Sequence, residues 1–94
     1  MKPVPQDESD ERLLQMLRAL GNPARLHLFR YLRDHRDAHC REMVEDLPLA
    51  QSTVSEHLHR LQEAGLIHGD PHGSRGYEID DDAVAWLKDR INAL

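Results

Sequence analysis

The sequence predicts a mainly α fold with one small β-hairpin, in the order α-α-α-α-β-β-α, and three observations carry that expectation. Residues Gln51 to Ala64 read as a helix that places Val54, Leu58 and Leu61 at i, i+4 and i+7, a narrow apolar stripe. A short apolar segment closed by the Leu47-Pro-Leu-Ala50 turn stands directly before it. After it, the turn-forming run Gly69-Asp-Pro-His-Gly-Ser-Arg-Gly76 separates two short stretches that alternate as strands do.

Taken from the start, residues 1–7 form a loose tail, with two prolines and little apolar content, and residues 8–94 form the domain. Ser9 or Asp7 caps a first helix that runs to about Ala19, with Leu13, Met16, Leu17 and Leu20 as its stripe. Gly21 stops it. Asn22 then caps a second helix with Pro23 at its first position, where the missing N–H costs nothing. That helix runs to about Arg33 and is expected to bury Leu26, Phe29 and Leu32, with Leu28 as a further candidate. The polar segment Asp34–His39 has room for one or two extended residues. A short helix from Cys40 to Asp46 follows, burying Met43, Val44 and Leu47.

After Gly65, which offers the φ > 0 position that ends a helix, strands are expected at Leu66–His68 and Tyr77–Ile79, joined by a mobile tip. Asp80–Asp82 supplies a cap and negative charge for a last helix. Its residues Val84, Leu87, Ile91 and Leu94 recur at coiled-coil spacing, with Trp86 beside them. Helix, helix, short helix, helix, hairpin, helix is the order of a winged helix-turn-helix, in which the fourth helix reads DNA and the hairpin is the wing.

With Val54 set at zero on a wheel of about 100° per residue, Ser52, Glu56, His59 and Glu63 fall on the far side of the fourth helix, flanked by Ser55 and Arg60. This outer face carries hydrogen-bonding groups of modest length and no large apolar side chain. An amphipathic surface helix that touches nothing has a similar pattern, so the neighbouring elements carry part of the argument. Glu56 has two readings. It either accepts a hydrogen bond from the N4 amino group of a cytosine or folds back in a capping box on Thr53.

Composition bounds the function. Ninety-four residues with 31% charged side chains make one domain, with no apolar run suited to a membrane span or a signal peptide. A single cysteine fits a reducing cytoplasm. Aromatic residues at 4% argue against a base-stacking single-strand binder. The net charge of −5 speaks against nucleic acid until its distribution is considered. The acids concentrate at the two ends, whereas residues 12–77 hold nine arginines against eight acids and all seven histidines.

At this point the chain resembles the ArsR/SmtB family of bacterial winged-helix repressors, from about Leu13 to Ile79. The stretch from Leu17-Arg-Ala-Leu-Gly-Asn-Pro-Ala-Arg-Leu to Leu32 resembles the family's opening, and Leu49-Ala-Gln-Ser-Thr-Val-Ser-Glu-His-Leu through Ile67 resembles its recognition helix. The resemblance implies a homodimer, built from the first and last helices, that binds a palindromic operator in double-stranded DNA and lets go when an inducer binds. On that reading Gln51, Ser52, Ser55, Glu56 and the wing's Arg75 meet DNA, while His57 packs; Thr53, His59 and Arg60 on the same helix are further DNA-binding candidates. Leu13, Met16, Leu17, Leu20, Val84, Trp86, Leu87, Ile91 and Leu94 form the dimer interface.

Two departures concern sensing. The family's cysteine-pair site needs Cys-x-Cys on the short third helix, and Cys40 is followed by Arg41 and Glu42. The family's other common metal site needs histidines on the last helix, and residues 80–94 contain none. No cofactor is expected, the inducer stays open, and His35, His39 and Cys40 are only weak metal candidates. Two other functions compete. A winged-helix protein–protein module without DNA binding fits the acidic total and the outer acids Glu56 and Glu63. An enzyme would need Ser52, Ser55, His57, His59 and Asp46 to assemble a triad, but they sit on or beside one exposed helix with no oxyanion site.

Overall fold

The computed structural model describes residues 3–70 and 75–94. They form α1 Glu8–Leu20, α2 Pro23–Asp34, α3 Cys40–Val44, α4 Gln51–Glu63, β1 Ile67–His68, β2 Glu78–Ile79 and α5 Asp81–Asn92. This is the mainly helical chain with one antiparallel hairpin that the sequence predicts. The expected mobile tip lies at residues 71–74, outside the described residues.

Side chains set the starts of α1, α2 and α5. Asp7 rather than Ser9 caps α1. Its carboxylate accepts from the Asp10 N–H at 2.9 Å while the Asp10 carboxylate accepts from the Asp7 N–H at 3.2 Å, a reciprocal box. Asn22 Oδ1 accepts from the Arg25 N–H at 3.1 Å, with Pro23 at the first helical position. Asp80 Oδ1 does the same for the Ala83 N–H at 3.0 Å, and Asp81 and Asp82 follow in the first turn of α5. At the end of α4, Gly65 takes φ +79. The Gly65 and Leu66 N–H groups then reach back to Gln62 O and Leu61 O at 2.9 and 3.1 Å, a Schellman closure.

The core is built around α4. Val54, Leu58 and Leu61 are fully buried, together with Met16 of α1, Leu28 of α2, Met43 of α3 and Leu66. α3, α2 and α1 all pack on α4. On α2 the buried pair is Leu28 and Leu32, whereas Leu26 and Phe29 are only half-buried, which corrects the expected stripe. The reason is tertiary. α2 packs against both α4 and β2, and Leu28 and Leu32 are the residues of α2 that end up buried. Val44 and Leu47 are likewise half-buried, leaving Met43 as the one buried residue of α3.

The hairpin pairs Ile67 with Ile79 and His68 with Glu78. The extended residue expected between α2 and α3 is Ala38, which bridges Tyr77: the Tyr77 N–H donates to Ala38 O at 2.7 Å. Asp37 beside it has φ 57, and its Oδ1 accepts from the Gly76 N–H at 2.6 Å. Asp is among the residues that tolerate this left-handed conformation. Gln62 Nε2 donates to Gly69 O at 3.1 Å, tying the other strand of the hairpin to α4. The hairpin is therefore fixed at its base on both sides. No helix among the described residues is long and apolar enough to cross a membrane.

Candidate nucleic-acid interface

The three buried residues of α4 turn its remaining faces outward. Gln51, Ser52, Thr53, Ser55, Glu56, His59 and Arg60 are all exposed. α4 begins at Gln51 with Ala50 as its cap, and the Thr53 and Val54 N–H groups donate to Ala50 O at 3.0 and 3.1 Å. Thr53 is thus inside the helix, and the capping-box reading of Glu56 is overturned. Glu56 instead lies 3.6 Å from Arg60 Nη2, and His59 Nε2 lies 3.1 Å from Glu63 Oε1. Both are i,i+4 pairs more than half exposed, a class worth about 0.3–0.5 kcal/mol, so a ligand with stronger demands can open them.

Arg75 is exposed, and the anchored Gly76 holds it beside the start of α4. Arg75, Gln51, Ser55, His39, Cys40 and Tyr77 line one shallow depression between the hairpin and the first turn of α4. Ser52, Ser55, Glu56, His59 and Gln62 line another, also closed by Tyr77. The structure thus brings Gln51, Ser52, Ser55, Glu56, His59 and Arg75 around Tyr77 where α4 meets the hairpin base, whereas Thr53 lines neither depression and Arg60 lies on the other flank of the helix. Tyr77 and Gln62, which position the hairpin against α4, were not singled out as functional by the sequence. Gln62 is given its role by its bond to Gly69.

His57 packs, as the resemblance implies. It is half-buried, with Nδ1 3.3 Å from Arg25 Nη1 of α2. Burial first, and the Arg25 guanidinium second, hold its imidazole below the ordinary 6.5, against a weaker opposing pull from Glu56. The neutral ring accepts from Arg25. In the unfolded chain the imidazole takes up its proton at higher pH, so folding stability falls as pH drops through about 6.5 and below. His57→Gln should therefore lower the thermal midpoint at pH 8, with the gap to wild type narrowing toward pH 5. A gap that stays constant over that range would contradict this.

The weak metal candidates are not gathered. His35 Nδ1 lies 3.0 Å from Tyr31 O, and its ring stacks on Tyr31 with centroids 4.0 Å apart. The His39 N–H donates to Glu42 Oε1 at 3.0 Å. Cys40 is half-buried with Sγ 3.9 Å from Gln51 O, and burial pushes its thiol pKa up, away from the reactive thiolate. Among the described residues no three His, Cys, Asp or Glu side chains converge.

This arrangement of helices, turn and hairpin has known counterparts. The model of the arsR family of bacterial regulatory proteins matches residues 22–68, half of the chain, from the cap of α2 through β1. The chain belongs to the ArsR family. An uncharacterized HTH-type transcriptional regulator of Methanocaldococcus jannaschii is 30% identical over 88 residues, 93% of this chain and 99% of that protein. A crystal structure of a possible transcriptional regulator for arsenical resistance superposes with TM-score 0.73 at 26% identity, covering 84% of this chain and 82% of that one. Two further structures share the fold at lower identity. An ArsR family transcriptional regulator has TM-score 0.77 at 21% identity, covering 99% and 91% of the two chains. An ArsR-like regulator from Rhodococcus sp. RHA1 has TM-score 0.72 at 24% identity, covering 88% and 81%. This ArsR-family protein is a winged-helix, DNA-binding transcriptional regulator and not an enzyme.

Proposed function

We propose that this ArsR-family protein is a cytoplasmic homodimeric repressor that reads a palindromic operator through the outer face of α4 and is released by an inducer. The observation that carries the reading is the division of labour on α4. Val54, Leu58 and Leu61 are fully buried, while Ser52, Ser55, Glu56, His59 and Arg60 face outward beside an anchored hairpin bearing Arg75. Such a helix is held rigidly by its seam and offers base-reading groups on its free side. In this reading Glu56 faces cytosine, and Arg75 meets phosphate or the minor groove.

Dimerisation is supported by apolar side chains that one protomer does not cover. Leu17 of α1 is 39% exposed, Ile91 of α5 44% and Leu94 88%. Leu13, Leu20, Val84 and Trp86 are half-buried around them, and α1 packs on α5. Met16 and Leu87, also expected at the interface, are consumed by the protomer's own core at 0% and 5% exposure, so they support the seam from beneath. Trp86 lies under the Arg12 guanidinium at 4.1 Å.

The test is a binding titration of the full chain against DNA upstream of its own gene, repeated over a salt series. The expected result is saturable binding that weakens steeply with salt. Absence of binding at low salt would favour the protein–protein module, to which the net charge of −5 and the outer acids Glu56 and Glu63 also lend themselves.

A further inference from the structure

On the flank of α4 turned away from the hairpin, three helices enclose an open cleft of about 480 Å³. Gln62, which holds the hairpin, and Arg60, which lines the cleft, are two residues apart, or about 200° of helical turn. Gln15 and Arg18 of α1, Arg25 of α2, and Arg60 and Glu63 of α4 form its walls. Three arginines and one acid thus line the cleft, in a chain whose net charge is −5.

These arginines are differently committed. Arg25 is half-buried and held in place, with Nε donating to Ala19 O at 2.7 Å and Nη1 directed at His57. Its Nη2 has no partner among the described residues. Arg18 is exposed, with no acidic partner among the described residues. Among the described residues Arg60 is held only by the loose 3.6 Å pair with Glu56, and the cleft's own acid, Glu63, is turned to His59. One positioned guanidinium and two exposed ones around an open space make a receptor for a tetrahedral oxyanion, because planar N–H forks match its oxygens.

The openness of the cleft selects the occupant. A small-molecule site buries most of its ligand, which a cleft with the exposed side chains of Arg18, Arg60 and Glu63 at its walls does not. A phosphate in a nucleic-acid backbone needs only its two free oxygens met, since the rest of the interface holds the polymer. A helix lying in a major groove about 12 Å wide has a phosphate backbone on either side. Arg75 and the hairpin stand on one flank of α4 and the arginine cleft on the other.

We propose that Arg18, Arg25 and Arg60 form a backbone-phosphate seat, so that DNA is held on both walls of the groove that α4 enters. This rests on the reading of α4 as the DNA-reading helix. It also gives an acidic chain a local means of binding a polyanion: the seat recruits residues from α1 and α2 that the recognition helix lacks.

The test uses the full chain with Arg18→Ala and Arg18→Lys, chosen because Arg18 is exposed and takes no part in the core. Affinity for operator and unrelated duplexes is measured over a salt series, with thermal midpoints recorded for each variant. Arg18→Ala should weaken both duplexes equally and flatten the slope of log K against log salt by about one unit or less per protomer, with Arg18→Lys retaining the slope. Wild-type affinity and slope in Arg18→Ala, while wild type binds DNA normally, would overturn the seat alone. No DNA binding by wild type would refute the reading of α4, and the seat with it. A second arm adds inorganic phosphate to the free protein. Saturable stabilisation that is lost in Arg18→Ala, together with an unchanged DNA slope, would assign the cleft to a free anion and overturn the backbone assignment.

Discussion

Gly76→Ala is expected to lower the stability of the fold by about 1–3 kcal/mol, toward the upper end of what overpacking costs. A Cβ built at this buried glycine would lie 2.4 Å from Ala38 O and 2.6 Å from Asp37 O. Both are backbone atoms, so no rotamer change relieves the contact. The segment would have to move apart, and two bonds would go with it: Gly76 N–H to Asp37 Oδ1, and Tyr77 N–H to Ala38 O. For a domain of this size each kcal/mol shifts the thermal midpoint by about 4–8 °C, which calorimetry reads directly. DNA affinity should fall as well, because Arg75 hangs on this joint. A midpoint within a degree or two of wild type would mean that the bridge between Ala38 and Tyr77 does not hold the hairpin.

Charging the α1–α5 seam is expected to have the largest effect on binding. Leu17→Glu together with Ile91→Glu places two carboxylates where the free protomer already exposes its side chains. The protomer should keep its helical circular dichroism, but sedimentation should show a monomer where wild type is a dimer at micromolar concentration. Two linked half-site readers gain about 10²–10⁴ in affinity over one. The double variant should therefore lose roughly that factor on an operator with two half-sites and much less on a single half-site. Equal losses on the two DNAs, or a wild type already monomeric, would remove the dimer from the account.

The parts of the fold legible in the sequence are those that local chemistry determines. Asn22-Pro23, Asp80 and Gly65 each define a helix end through bonds to neighbours within a few residues, and they do so in the structure. The α4 stripe was legible because its three buried residues have no competing apolar neighbour. On α2, Leu26, Leu28, Phe29 and Leu32 offer two overlapping stripes, and only the positions of α4 and β2 decide between them. Thr53 and Glu56 have capping-box spacing, yet the turn at residues 45–50 sets the helix start three residues earlier, with Ala50 as the cap. The exposure of Ser52, Ser55, Glu56, His59 and Arg60 follows from the wheel alone. The contact between Arg25 and His57 joins positions 32 residues apart, and the meeting of Arg18, Arg25 and Arg60 depends on three helices packing together. No periodicity within one segment encodes either.

Selection from a randomised duplex library tests the central claim most directly, with wild type and Glu56→Gln run side by side. Wild type should enrich an inverted repeat bound by two chains, with a cytosine-containing base pair fixed at one position in each half-site. Glu56→Gln keeps the size of the side chain, removes its charge and adds a donor suited to adenine. It should bind unrelated DNA more tightly while losing about 1–3 kcal/mol of discrimination at that one position, other positions unchanged. An identical base preference in the two proteins would end the role given to Glu56. No enrichment over the starting library by wild type would contradict operator recognition by α4 itself.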